Sequence, residues 1–116
     1  MAQLLHQFTG GKVHIGVAAG IDGDLGTDAT EILRQIEACP QGADVVLLFD
    51  LGSAKLNCEM ALELLPPDSG RRVSIADAPL VEGAIAAAME ASLGGNQESV
   101  LAAATAAWQM RKLESP

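Results

Sequence analysis

Three short segments of this chain carry small, hydroxyl-bearing and acidic residues that suit the binding of an anion. They contain Gly26, Thr27 and Asp28, then Asp50, Gly52 and Ser53, then Glu82 and Gly83. Backbone N–H groups at the start of a helix attract anions such as phosphate. Glycine lets the backbone approach a ligand closely, and a hydroxyl adds a hydrogen-bond donor. The three segments therefore predict a phosphate site, although ordinary helix capping uses the same residue types.

The elements around these segments predict an α/β fold. Five consecutive apolar residues at 45–49 are typical of a strand buried on both faces, as in a parallel sheet covered by helices. The pattern predicts further strands at 13–18 and 72–76, and helices near 2–8, 28–39, 54–65, 80–92 and 98–113. Each of the three segments follows a strand and precedes a helix. We therefore expect them to meet at the carboxyl edge of the sheet.

Composition narrows the class of protein. A chain of 116 residues predicts one domain, residues 1–116. A formal net charge of −8 argues against nucleic acid and anionic membranes as partners, since both require a cationic surface. No run reaches the roughly 18 apolar residues of a membrane span, and the start does not resemble a signal peptide. We expect a cytoplasmic protein.

The cysteines and histidines do not form a recognisable metal or catalytic set. Cys39 and Cys58 lie in apolar helical patterns and are interpreted as buried thiols in a reducing compartment. His6 and His14 have no cysteine or histidine at ligand spacing. The sequence thus predicts no bound metal, and neither histidine is interpreted as catalytic.

Two other interpretations of the segments are disfavoured by the motifs that they require. The chain contains neither a P-loop sequence nor a G-x-G-x-x-G run, which argues against a self-sufficient nucleotide kinase. Asp50, at the end of a buried strand, could be the phosphoacceptor of a response-regulator receiver, with Asp22 and Asp24 as the acidic pair. That interpretation requires a lysine after a later strand, and residues 77–79 (Asp-Ala-Pro) do not provide it.

Five motifs together resemble a known family. In order, they are AAGID (18–22), LGTD (25–28), DLGSA (50–54), EMALELL (59–65) and APLVEG (78–83). They resemble the phosphotransferase subunit of the phosphoenolpyruvate-dependent dihydroxyacetone kinase, which is similar to the mannose-type enzyme IIA of the sugar phosphotransferase system. The resemblance extends from about residue 11 to residue 107. It implies a mostly parallel sheet with helices on both faces.

The resemblance also implies a function. A family histidine would take a phosphoryl group from the phosphocarrier HPr and pass it to ADP held in the ADP-binding subunit of the kinase. The regenerated ATP would then phosphorylate dihydroxyacetone. It further implies a homodimer without a cofactor of its own. The walls of the phosphohistidine pocket would be Gly26, Thr27, Asp28, Asp50, Gly52, Ser53, Glu82 and Gly83.

The sequence departs from the family at its start. The family histidine follows the first strand in a Ser-His-Ser segment, whereas residues 1–8 match only the end of the first helix, and neither His6 nor His14 matches the motif. We therefore expect an N-terminally truncated domain without a central strand, only marginally stable or self-associating, and inactive as written. The alternative is a non-catalytic module that keeps the docking and dimerisation surfaces.

Overall fold

The computed structural model of the chain describes residues 2–18, 29–50 and 52–109. In chain order its elements are α1 (Ala2–Thr9), α2 (Ala29–Glu37), β1 (Val45–Leu47), α3 (Gly52–Leu64), β2 (Val73–Ile75), α4 (Leu80–Ser92) and α5 (Gln97–Ala106), with a 3₁₀ turn at Ala107–Gln109. This order confirms the predicted alternation of strands and helices from residue 29 onward.

The sheet is parallel, as predicted. β1 pairs with β2 in a register that places Val45 beside Val73 and Leu47 beside Ile75. One further backbone bond, from the Ala76 N–H to the Leu47 carbonyl at 2.9 Å, extends the pairing past the end of β2. Since α3 connects the two strands, β1, α3 and β2 form a βαβ unit.

Helices cover both faces of the sheet, which confirms the predicted architecture. Successive side chains of a strand point to opposite faces. Val45 and Leu47 pack with α2 and α3 residues such as Ile36 and Ala61. Val46 packs on the other side, in the cluster formed by Ala76 and Ala78 with residues of α4 and α5. Burial on both faces explains why the apolar run shows no polar alternation.

α1 packs on the same face as α4. Leu5 is buried in a cluster with Ala84 and Ala88 of α4. Two glycines end the helix: Gly10 and Gly11 have φ of 62° and 77°. Their lack of a Cβ makes this left-handed conformation accessible.

The prediction of a strand at 13–18 is wrong. These residues form no regular element in the structure, although Ile15 packs beside Leu48 and Ala84. A strand exists only where a neighbouring backbone accepts and donates its hydrogen bonds. Within the described ranges the sheet consists of β1 and β2 alone.

Gln97 ties the start of α5 to the amino ends of both strands. Its side chain is buried, and its Nε2 donates to the Val45 carbonyl at 3.3 Å and to the Arg72 carbonyl at 2.9 Å. The Val45 N–H donates to the same Arg72 carbonyl at 2.8 Å. Since α5 begins at this amino edge, it runs back along α4 toward the carboxyl edge.

The two cysteines lie in or beside the core, as predicted. Cys58 is buried, and half-buried Cys39 packs against the same cluster. Burial raises the pKa of both thiols; Glu59 raises the pKa of Cys58 further, and Arg71 partly offsets the rise at Cys39. A raised pKa leaves little reactive thiolate at neutral pH. The positions and pKa shifts of both cysteines are those of structural residues.

Candidate functional site

The carboxyl ends of β1 and β2 bring two of the three predicted segments to one edge of the sheet. Asp50 follows β1 and Asp77 follows β2, and both side chains are exposed. α3 begins two residues after Asp50, and α4 begins three residues after Asp77. The edge therefore combines two helix N-termini with two exposed carboxylates.

The first predicted segment lies outside the described residues. Gly26, Thr27 and Asp28 precede α2, which begins at buried Ala29. Ala18, before the gap, packs against the cluster that contains Ala29. Both described ends of this connection thus contact the same part of the core.

The second segment begins α3. Gly52 and Ser53 are its first two residues, and the next residue, Ala54, is buried. The N–H groups of the first turn of a helix have no carbonyl partner within that helix. The backbone of Gly52 and Ser53 therefore occupies the position at which helices bind anions.

The third segment begins α4 without a side-chain cap. Pro79 is the N-cap residue, with φ of −66° and ψ of 135°, and no side chain hydrogen-bonds there. α5, which begins at the opposite edge, is capped by Asn96, whose side chain accepts a bond from the Ser99 N–H at 2.8 Å. Glu82 lies half-buried in the first turn of α4.

Gly83 allows α4 to approach the end of β1 closely. A Cβ at this position would lie 2.8 Å from the Cβ of Ala78 and 3.2 Å from Cδ2 of Leu48. The Gly83 N–H donates to the Pro79 carbonyl at 2.7 Å, which closes the first turn. The sequence singles out Gly83 as a pocket wall, and the structure adds a packing requirement for glycine there.

Trp108 is a residue of this edge that sequence reasoning missed. Val100, Ala104 and Trp108 follow helical spacing, which predicts one buried face. Val100 and Ala104 are buried, but Trp108 is 58% exposed, and its Nε1–H donates to the Asp77 carbonyl at 2.9 Å. The spacing does not predict the exposure of Trp108 because the α-helix ends at Ala106. A 3₁₀ turn, which has a different periodicity, follows it.

Neither histidine belongs to a described loop of the carboxyl edge. His6 is exposed near the end of α1, and His14 is exposed in the irregular segment after it. A small cavity of about 130 Å³ lies at the amino edge instead, lined by Arg72, Asn96, Gln97 and Glu98. It is separate from the predicted site.

Two features are absent from the residues that the structure describes. Over residues 2–18, 29–50 and 52–109, no group of three His, Cys, Asp or Glu side chains is arranged to hold a metal. Over the same residues, no helix combines the length and apolar character needed to cross a membrane.

Comparison with known proteins identifies relatives. Residues 1–101 match the EIIA-man family model, described as the PTS system fructose IIA component. A protein of Providencia stuartii named PEP-dependent dihydroxyacetone kinase, phosphoryl donor subunit DhaM, is 42% identical over 104 residues, which cover 87% of this chain and 22% of that protein. The DhaM protein of Escherichia coli is 41% identical over 75% of this chain and 19% of its own length. The chain thus spans about a fifth of these two relatives.

A shorter relative and a solved structure match along most of their lengths. The Listeria innocua protein named PEP-dependent dihydroxyacetone kinase 2, phosphoryl donor subunit DhaM, is 37% identical, and the match covers 87% of this chain and 82% of that protein. The crystal structure of a protein of unknown function, EF1359, superposes with a TM-score of 0.79 at 32% identity, over 90% of this chain and 80% of that one.

Proposed function

Because this chain belongs to the mannose-type EIIA family, we propose that it is the EIIA-type domain of the phosphoryl donor subunit of a PEP-dependent dihydroxyacetone kinase. One observation carries the proposal: helices α3 and α4, which begin at two of the three predicted phosphate-binding segments, both start at the carboxyl edge of the sheet. The DhaM name shared by the relatives from three organisms supports it.

The proposed reaction is a relay of one phosphoryl group. HPr transfers the group to a histidine, the N–P bond then breaks, and a new P–O bond forms to the terminal phosphate of ADP in the ADP-binding subunit. The resulting ATP transfers the group to a hydroxyl of dihydroxyacetone and becomes ADP again. Helix N-termini at the carboxyl edge suit this chemistry, since their N–H groups stabilise negative charge on the phosphoryl oxygens.

The pocket walls in this proposal are the predicted site residues. The described ones are Asp50, Gly52, Ser53, Glu82 and Gly83, and Gly26, Thr27 and Asp28 would complete the site. The proposal includes a homodimer, which the family resemblance implies, and a cytoplasmic location, which is expected from the sequence features. It assigns the acceptor role to neither His6 nor His14, because neither matches the family motif or lies in a described loop of the edge.

A competition assay tests the proposal. We expect the 116-residue chain to inhibit dihydroxyacetone phosphorylation in a reconstituted system of PEP, enzyme I, HPr, the Listeria innocua DhaM protein and limiting kinase subunits. It would occupy the ADP-binding subunit without donating phosphate. If the chain and the Listeria innocua protein bind the ADP-binding subunit with equal affinity, about a tenfold excess of the chain lowers the rate of dihydroxyacetone phosphorylation to about a tenth by mass action. Radiolabelled PEP should leave no acid-labile phosphate on the chain.

The two readouts separate the parts of the proposal. An unchanged rate at saturating chain would contradict docking, and with it the donor assignment. Label at His6 or His14 would contradict only the exclusion of those two histidines. The second candidate is a module that docks without transferring phosphate, and inhibition without label also favours it. The position of both histidines outside the described loops of the carboxyl edge supports this candidate.

A further inference from the structure

We propose that two copies of this chain pair through α3, whose outer face carries an exposed apolar stripe. The α3 stripe consists of Leu56, Met60 and Leu64, which are 65%, 52% and 53% exposed. This inference rests on the homodimer of the proposed function and adds the surface and the orientation through which the two copies meet. It leaves the carboxyl edge of the sheet to the partners of the relay.

The spacing of the α3 stripe places its three side chains on one face of the helix, because residues four positions apart are neighbours on a helix surface. Other residues of α3 meet the sheet: Cys58 and Ala61 are buried in the cluster that contains residues of β1 and β2. A helix that only covers a sheet has one apolar face and turns a polar face to water. α3 thus carries a second apolar face, which spans about two turns.

Charged residues follow the α3 stripe along one side. Lys55, Glu59 and Glu63 are exposed and repeat the four-residue spacing, each one position before a residue of the stripe. The Nζ of Lys55 lies 3.5 Å from Oε1 of Glu59. The row therefore begins with a cation and ends with an acid.

An antiparallel contact between two α3 helices makes these charges complementary. Charges beside an apolar seam set the orientation of the partner helix. Alignment on Met60 packs the first leucine of one stripe against the last leucine of the other, and it places Lys55 opposite Glu63 at both ends of the contact. Each Glu59 approaches its counterpart, and the Lys55 of its own chain offsets that repulsion.

Two features favour a second copy of this chain over another protein. The stripe reads leucine, methionine, leucine in both directions, and the row beside it has opposite charges at its two ends. A two-fold contact requires a surface that is complementary to itself in this way. HPr and the kinase subunit must reach the carboxyl edge, where α3 begins, whereas the stripe extends to Leu64 at the far end of the helix. A contact centred on Met60 therefore leaves that edge accessible.

The exposed apolar residues of α4 do not have this self-complementarity. Val81, Met89 and Leu93 are exposed, but the charged residues of this helix are Glu82 and Glu90, which are both acidic. Pairing of two α4 helices brings only like charges together, which opposes association. α4 therefore provides the comparison surface for the test.

Sedimentation equilibrium tests the surface with the same substitution at two methionines. We expect the parent chain to form a dimer, and Met60→Glu to raise the dimer dissociation constant at least about tenfold, because two carboxylates then meet at the two-fold axis. Met89→Glu is the matched control, since Met89 is 50% exposed on α4, which covers the other face of the sheet. Its dissociation constant should stay within about twofold of the parent value.

An exchange of charges tests the antiparallel orientation. Lys55→Glu places acids opposite each other at both ends of the contact and should raise the dissociation constant about threefold or more. Adding Glu63→Lys restores opposite charges there and should return the dissociation constant to within about twofold of the parent value. The double variant also keeps an ion pair within the helix, because Glu59 lies four residues before the new lysine.

Three results would overturn the inference. Equal dissociation constants for the parent and Met60→Glu, or a greater loss in Met89→Glu, would exclude α3 as the surface. A double variant no tighter than Lys55→Glu alone would exclude the antiparallel orientation. A parent chain that stays monomeric at its highest soluble concentration would exclude the homodimer itself. Thermal unfolding checks that each variant is folded, and the charge exchange decides if Met60→Glu is not.

The donor assignment is measured separately. Met60→Glu should inhibit dihydroxyacetone phosphorylation in the competition assay as strongly as the parent, because the α3 stripe lies away from the carboxyl edge. Inhibition by a chain that does not dimerise would overturn the α3 surface and leave the donor assignment intact. Loss of inhibition by Met60→Glu without loss of the dimer would assign the stripe to the kinase subunit and overturn the choice of a second copy.

Discussion

Gln97→Glu should cost about 3–5 kcal/mol of unfolding free energy, because it places a charge where two carbonyls now receive a hydrogen bond. Gln97 is 6% exposed, and its Nε2 donates to the carbonyls of Val45 and Arg72. A carboxylate at that point has no N–H to donate and repels both oxygens. For a domain whose total stability is of order 5–15 kcal/mol, such a loss is a large fraction of the whole.

Gln109→Glu is the control for this variant. Gln109 is exposed in the 3₁₀ turn, so the same change of side chain adds the same charge at the surface. Its effect should stay within about 0.5 kcal/mol. Urea unfolding followed by circular dichroism gives both values. Equal midpoints for the two variants would show that the Gln97 amide does not secure the strand ends.

Gly83→Ala should destabilise the chain although alanine is the better helix former. The added Cβ would lie 2.8 Å from the Cβ of Ala78, which is too short a side chain to move away, and 3.2 Å from Leu48. Overpacking of this kind costs about 1–3 kcal/mol, which exceeds the gain of up to about 1 kcal/mol in helix propensity. Because the clash lies at the start of α4, relief of the strain would also displace the edge that holds Glu82.

Gly95→Ala separates this clash from a general effect of removing glycine. Its Cβ would lie 2.5 Å from Oε2 and 2.8 Å from Cγ of Glu90 and 2.6 Å from Oγ of Ser99, which belong to half-buried side chains that can rotate. We expect thermal unfolding to show a clear decrease in Tm for Gly83→Ala and a smaller one for Gly95→Ala. A Gly83→Ala variant at least as stable as the parent would contradict the close packing described for α4 and β1.

The parts of the fold that the sequence predicts are those set by local patterns. The apolar run at 45–49 locates β1 because burial on both faces removes polar alternation. The predicted bounds of α4, residues 80–92, match the structure because a proline and two glycines flank it. The edge at Asp50 and Asp77 follows from the order of strands and helices alone.

The parts that the sequence does not predict depend on distant contacts. Residues 13–18 have a strand-like composition, but strand formation requires a pairing neighbour that the local pattern cannot specify. Trp108 follows the periodicity of a buried face, and only the change to a 3₁₀ turn exposes it. Gln97 is an ordinary polar residue in sequence, and its importance arises from carbonyls 52 and 25 positions away.

The central claim is that the chain binds the ADP-binding subunit through the carboxyl edge of its sheet. Hydrogen–deuterium exchange of the chain with and without the ADP-loaded subunit tests this claim most directly. A donor that docks through the carboxyl edge should show slower exchange at residues 77–83 and around Trp108 when the subunit is present. Residues 93–98, which are the connection from α4 to α5 and the first two residues of α5 at the amino edge, should be unchanged. Protection confined to residues 93–98, or no protection at a saturating concentration of the subunit, would contradict it.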